Sequence, residues 1–329
     1  MIPSKKKVDS IGEKLRLIPN DEESLDILSA WRGSYIYPLG LAFNLLKRYT
    51  DKIGNNAVYG QRLKRVNSIL HKLNRMPDIK LSRMQDIGGC RVILSDYEQL
   101  RKLYLNLRKS SSILPNYKDY ITYPKADGYR GIHLIYQCNS KNSNHNGLKI
   151  ELQLRTKLQH AWATAVEIVD LFEGEQLKLG RGSAEWSRLF YLIADEFARL
   201  ENLPFHDNTI KNRTDEIKQL CNHLNIVGKL KGYTSTIESK DLNSKRTMDF
   251  EFCILVIHNK FGYTTLWRVN DQAKALNLYI EFEKSFMDSP EINVLMVKMS
   301  SIKQIKAAYP NYFANSRRFL ENLTTILNT

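Results

Sequence analysis

Apolar residues recur at helical spacing over residues 11–18, again as Leu25, Ile27, Leu28 and Trp31, and again as Leu39, Leu41, Phe43, Leu45 and Leu46. The spacing predicts helices over 21–31, after an Asp21 or Ser24 cap, and over 35–49. They share one core face and follow a basic start whose first few residues are loose. Leu63, Val66, Ile69, Leu70 and Leu73 form a further apolar stripe, which predicts a helix within 56–73. The period then shortens. Residues 81–94, LSRMQDIGGCRVIL, run through Asp86 and a Gly-Gly pair into a β-rich stretch, and 96–107 read as a surface helix. Strands follow at 132–138 and 150–156, separated by the turn-rich link NSKNSNHNG. In the second strand Glu151, Gln153 and Arg155 alternate with apolar residues, so the three polar side chains share one sheet face. Helices over 157–172 and 184–200 complete a layered unit ending near residue 203.

Beyond a break at 204–212 the pattern predicts a helix over 215–230 and strands over 249–258 and 263–269 joined by a turn at 259–262. An amphipathic helix over 271–286, a strand over 292–299 and a mostly helical 301–327 around Pro310 follow. The expected fold is α+β, or mixed α/β: a mostly mixed central sheet flanked by helices in residues 1–205, with a ββαβα module in 206–329.

Charge narrows the partners. The 329 residues carry 49 Lys+Arg against 35 Asp+Glu, a formal net charge of +14. That balance fits RNA, nucleotides or an acidic surface, and also a basic soluble protein with no such partner. The four cysteines, Cys90, Cys138, Cys221 and Cys253, are far apart, which argues for a reduced cytosolic protein and against a disulfide framework or zinc site. No apolar run reaches the ~18 residues of a membrane span, so the expected location is cytoplasmic, away from membranes.

Four stretches carry candidate chemistry. In RLKRVNSILHK, Arg62, Lys64, Arg65 and Lys72 surround Ser68; on a helix Arg65, Ser68 and Lys72 share one face that could meet nucleotide phosphates or simply be solvated. Asp86, before the Gly-Gly pair, suits a magnesium ion or an Asx-type turn. The polar loop KDYITYPKADGYRGIH, 118–133, leads toward the Glu151 face, and in the next helix His160 and Glu167 could reach the same cleft, His160 equally as a core or capping residue. Tyr309 and Tyr312 flank Pro310 as an aromatic clasp or as packed core.

Taken in order, RLKRVNSILHK, DIGGCRVIL, the KDYI, PK and GYRGIH pieces of the loop, and IELQLRT with QHAWATAVE resemble the synthetase domain of the RelA/SpoT family of alarmone synthetases over roughly residues 30 to 200. The resemblance implies a nucleotidyltransferase-like fold and transfer of the β,γ-pyrophosphate of ATP to a ribose 3′-hydroxyl with Mg2+. Carried onto this chain, Arg62, Lys64, Ser68, Lys72 and Arg91 would bind ATP. Asp86 and Glu151 would hold the metal and act in catalysis, Glu151 as base. Tyr129 would stack on the acceptor base, with Lys118, Lys125, His133, Gln153 and Arg155 around it. Asn116-Tyr117-Lys118-Asp119 stands where bifunctional members often begin with Arg, and no hydrolase pattern precedes it, so a synthetase without its own hydrolase is expected.

The C-terminal third with its Tyr-x-x-Tyr element resembles the CapRel type of fused toxin-antitoxin. That resemblance implies pyrophosphorylation of the 3′-terminal adenosine of tRNA, which stops translation. It also implies Tyr309 and Tyr312 blocking the ATP site, a phage capsid protein as the trigger of release, and a monomer. Two other readings remain: a small alarmone synthetase acting on free guanine or adenine nucleotides, and a catalytically inactive RNA-binding regulator.

Overall fold

The computed structural model describes residues 2–54, 56–204, 212–238, 251–258, 263–287, 289, 292–298 and 302–328. The predicted turn at 259–262 and the first residues of the predicted strand at 249–258 lie outside them.

The chain begins with helices α1 (Lys5–Leu17), α2 (Glu22–Gly33) and α3 (Ile36–Thr50). The start is not loose: Ser4 caps α1, its side chain accepting from the Lys7 N–H, so the basic residues 5–7 are helical. Asp21 caps α2 as expected. Strand β1 (Val58–Leu63) and helix α4 (Val66–Arg75) follow, then β2 (Gly88–Leu94) and α5 (Tyr97–Leu107). The predicted helix within 56–73 is therefore half strand. Pairing with β2 from Val58↔Ile93 to Leu63↔Gly88 claims the segment that carries Gly60, a poor helix former.

A two-residue strand β3 (Lys118–Asp119) precedes β4 (Ile132–Gln137), β5 (Lys149–Thr156), α6 (Lys157–Phe172) and α7 (Ala184–Leu200). Then come α8 (Arg213–Leu224) and α9 (Ile226–Glu238), strands β6 (Phe252–His258) and β7 (Tyr263–Val269), α10 (Gln272–Ser285), β8 (Ile292–Lys298), α11 (Ile302–Ala308) and α12 (Arg317–Leu327). The helix predicted over 215–230 is two helices, broken where Asn225 turns left-handed at φ 48°.

The eight described strands form one mixed sheet in the order β3-β4-β5-β2-β1-β8-β6-β7. Among them β2 and β5 are parallel neighbours, and the other pairs are antiparallel. Segments 1–205 and 206–329 meet inside this sheet, where Arg62 on β1 pairs with Val297 on β8. They also share a core, because Leu39, Leu63, Phe252, Tyr279 and Met296 belong to one apolar cluster. A second cluster joins Trp162, Trp186, Phe190 and Phe319 from α6, α7 and α12.

The Gly-Gly pair acquires two structural reasons. A Cβ on Gly88 would lie 2.7 Å from Ile150 Cδ1 on the neighbouring β5, so the glycine makes room for that side chain beneath Tyr35 and Leu39. On the other face a Cβ at Gly89 would meet nothing nearer than the Glu151 carbonyl oxygen at 3.8 Å, which leaves a hollow there.

Candidate active site

The hollow is lined by Gly60, Arg62, Lys64, Asp86, Gly89, Arg91, Glu151, Gln153 and Tyr309. Sheet register assembles it. Gly60, Arg91, Gln153, His133 and Lys118 lie side by side across five strands as one rung, and Arg62, Gly89 and Glu151 form the next. Because alternate residues share a face, these rungs turn the same side chains outward. Arg65 departs from expectation. It is the N-cap residue of α4, not part of its face with Ser68 and Lys72, and its guanidinium donates to the side-chain oxygen of Asn293 on β8.

Asp86 sits between two ammonium groups, accepting from Lys64 Nζ at 2.9 Å and Lys72 Nζ at 2.8 Å. Burial works against its charge, yet the two lysines hold its carboxyl below the usual range. Burial also lowers Lys64, outweighing its gain from Asp86. Glu151 is equally occupied: His133 Nδ1 lies 3.0 Å from one oxygen, and Gln153 Nε2 donates to the other at 2.7 Å. Against the cost of burial, these partners push the Glu151 carboxyl well below the carboxylate range.

The relay continues from His133 Nε2 to the Tyr129 hydroxyl at 2.6 Å, and Arg155 donates to that hydroxyl from Nε at 3.2 Å and Nη2 at 3.0 Å. Burial favours the neutral imidazole, but Tyr129 and Glu151 raise His133 to about 8. Burial likewise opposes a Tyr129 phenolate, which Arg155 and His133 favour, lowering the hydroxyl to about 8. The Tyr129 ring has Lys125 Nζ 4.7 Å and the Arg155 guanidinium 5.0 Å from its centroid. Both are cation–π contacts that frame the ring with positive charge. The loop turns sharply beneath it at Gly128 (φ 91°), where a Cβ would lie 2.8 Å from Ala194.

Two other expected residues stand apart from the hollow. Lys118 is exposed on the edge strand beside His133, and the side chain of Ser68, in the first turn of α4, makes no hydrogen bond among the described residues. His160 is buried and kept neutral, first by burial and then by Arg91 and Arg155. Glu167 pairs with Lys178; burial opposes its charge, but Lys178, Arg91 and Arg62 lower it to about 2.

From the C-terminal segment, Tyr309 and Tyr312 stack at 6.2 Å and are 4% and 8% exposed. A Cβ at Gly60 would meet the Tyr309 hydroxyl at 3.1 Å, so the glycine provides the seat for this ring. Burial raises Tyr309 despite the lowering influence of Arg91 and Arg62. Its hydroxyl has no hydrogen-bond partner among the described residues. With the ring in place, the hollow holds about 100 Å³.

For magnesium, Asp86 and Glu151 offer two carboxylates on one hollow, the donor set of an ion that keeps waters and takes substrate phosphate oxygens. A cage of three or more acidic, His or Cys side chains is absent among the described residues. Sequence reasoning missed Arg32, Tyr279 and Glu283. Arg32 is fully buried, donates to both Tyr279 and Glu283, and also holds the Lys64 carbonyl at 2.9 Å. The Tyr279 and Glu283 pair, one turn apart on an otherwise amphipathic helix, was the available signal.

Known proteins share part of this chain. Residues 61–169 match the family model described as a region found in RelA / SpoT proteins. The chain is 34% identical over 140 residues to the GTP pyrophosphokinase YjbM of Bacillus subtilis, covering 39% of this chain and 65% of the relative. It is 33% identical over 110 residues to the GTP pyrophosphokinase YwaC of the same organism, covering 31% and 52%. The match thus spans less than two thirds of either relative. Small alarmone synthetase 1 from Bacillus subtilis bound to pppGpp superposes with a TM-score of 0.44 at 22% identity, covering 51% of this chain and 90% of that one. The residues matched by that family model, 61–169, include the site residues from Arg62 to Arg155.

Proposed function

We propose that the chain is an ATP-dependent pyrophosphokinase held shut by its own C-terminal segment, with the 3′-terminal adenosine of tRNA as acceptor. The observation that carries the closed state is Tyr309. A buried hydroxyl without a partner costs on the order of 1–3 kcal/mol, and here it sits on Gly60 between Arg62 and Arg91. The remaining ~100 Å³ is well below the ~300 Å³ at which ligand pockets begin.

When the ring leaves, Arg62, Arg91, Lys64, Ser68 and Lys72 hold ATP and its phosphates. Magnesium bound by Asp86 and Glu151 supplies charge neutralisation at the phosphoryl oxygens. The acceptor 3′-oxygen attacks the β-phosphorus, the bond from that phosphorus to the α,β-bridging oxygen breaks, and AMP leaves. Glu151 draws the hydroxyl proton, while Tyr129, His133, Gln153, Arg155, Lys118 and Lys125 orient the acceptor. Asp86 would hold the metal through the oxygens that now accept from Lys64 and Lys72, and those two lysines would be available to the phosphates. The net charge of +14 supports a polyanionic acceptor. In this reading, a phage capsid protein that engages the C-terminal segment withdraws the clasp.

The names of the relatives favour a second reading, in which a free guanosine nucleotide is the acceptor. Incubating wild type and Tyr309→Ala with ATP labelled in the β,γ-pyrophosphate, plus either tRNA or GTP, tests both. Tyr309→Ala is expected to bind ATP at least ~10-fold more tightly, a population shift of about 1.4 kcal/mol, and to label tRNA. Label only in GTP would select the second reading, and equal ATP binding by both proteins would overturn the clasp.

A further inference from the structure

A cavity of about 530 Å³ lies outside the hollow, at the entry ends of β2 and β5. Four cations line it: Lys5 from α1, Lys80 and Arg83 around the 3₁₀ turn Leu81–Arg83, and Lys149 at the start of β5. None has an ion-pair partner among the described residues, whereas Asp86 already engages the two lysines of the hollow. The acid in the lining, Asp9, is committed to the turn. It accepts from the Ser82 N–H at 2.8 Å and from Ser82 Oγ at 2.9 Å. A Cβ on Gly12 would lie 2.9 Å from Leu81 Cβ, so α1 packs directly on the turn that bears Lys80 and Arg83. The arrangement is an anchored set of unneutralised cations around a ligand-sized space, whose electrostatic demand is for several negative charges.

Its position relates it to the chemistry. Lys149 is two residues before Glu151 on β5 and therefore on the same sheet face, about 7 Å away along the strand. Gln85, also in the lining, adjoins Asp86. Tyr35 lines the cavity as well; burial and then the charge of Asp86 raise its hydroxyl, which places it within electrostatic reach of that carboxylate. At ~3.4 Å of rise per nucleotide along a stacked strand, about 7 Å corresponds to about two nucleotides. A chain whose terminal ribose reaches Glu151 would thus lay its preceding phosphates here.

We infer that this cleft binds the backbone phosphates of the acceptor RNA immediately 5′ of its reacting end, an inference that rests on RNA being the acceptor. The cleft lies open while Tyr309 closes the hollow, so RNA docks before the clasp is released.

The test uses full-length protein and a fluorescent tRNA transcript, with anisotropy titrations at several salt concentrations, and GTP titrations in parallel. Lys80→Ala/Arg83→Ala should weaken tRNA binding at least ~10-fold and reduce the salt slope by about 1.4, ~0.7 for each phosphate that is no longer neutralised. The charge-matched pair Lys47→Ala/Arg48→Ala, both exposed on α3, should leave both quantities near wild type. Unchanged tRNA binding in the cleft variant, or equal weakening in both variants, overturns the inference. Loss of GTP binding with tRNA binding intact overturns it too, assigning the cleft to free-nucleotide phosphates. If wild type binds no tRNA, the RNA-acceptor reading itself fails, a result distinct from the others.

Discussion

At the scale of single residues, the site is defined by carboxylates that are already occupied. Glu151 has one oxygen on His133 and the other on Gln153, and a carboxyl held that far down is a weak base as it stands. In the proposed reaction its proton affinity would rise when His133 gives up its proton or turns to a substrate phosphate, which would couple proton transfer to acceptor binding. Glu151→Gln in the opened Tyr309→Ala background is expected to lower pyrophosphate transfer ~10²–10⁴-fold while ATP binding changes little. Single-turnover transfer measured beside ATP titration checks this, and retained transfer would remove Glu151 from the chemistry. Glu151, Gln153 and Arg155 were legible from strand alternation alone. Their approach to Tyr129 and His133 was not, because it depends on register between β4 and β5, which no local pattern specifies.

At the scale of elements, the turn from β5 into α6 shows how local chemistry can carry a long-range cost. Thr156 and Gln159 form a reciprocal capping box, and Gln159 then donates to Glu201, at the end of α7, at 3.2 Å. Burial raises Glu201 to about 7, outweighing the hydrogen bonds from Thr156 and Gln159. An acid whose folded value exceeds its unfolded one binds its proton more tightly in the native state. It is neutral to stability below the unfolded value near 4.5 and costs progressively more as pH rises to about 7. Glu201→Gln should therefore stabilise the protein by at most about 3 kcal/mol at pH 8 and have little effect at pH 4.5. Urea melts at the two pH values check the sign; equal effects at both would reject it. The elements themselves were largely legible from apolar period, with β1 the main exception. Leu63 belongs equally to a helical stripe and to a strand, and only pairing with β2 chose between them.

At the scale of the whole molecule, the proposed closure would involve more than the tyrosines. Glu283 on α10 accepts from Arg32 and Tyr279, and also from the Val66 N–H at 3.3 Å, the first N–H of α4. Arg65, the cap residue, supplies no side-chain cap there, so a carboxylate from the C-terminal segment does so. The basic helix of the proposed donor site and α10 are thereby tied through a buried ion pair. Removing one partner of such a pair typically costs ~3–5 kcal/mol, because the other is left buried and uncompensated. Glu283→Gln is expected to destabilise by that order and to ease opening, seen as tighter ATP binding. In a double-mutant cycle, Arg32→Met/Glu283→Met should recover much of the loss. Strictly additive single losses would show that the two side chains act independently.

The sequence by itself determined the helical and strand periods, the shared face of Glu151, Gln153 and Arg155, and the motif order, since these depend on spacing along the chain. Only the tertiary structure decided that Arg62 lies on a strand, that Arg65 turns to Asn293, and that Tyr309 settles on Gly60. Each depends on contacts between segments separated by tens to hundreds of residues, and burial and register select among local conformations that the sequence leaves nearly equal in energy.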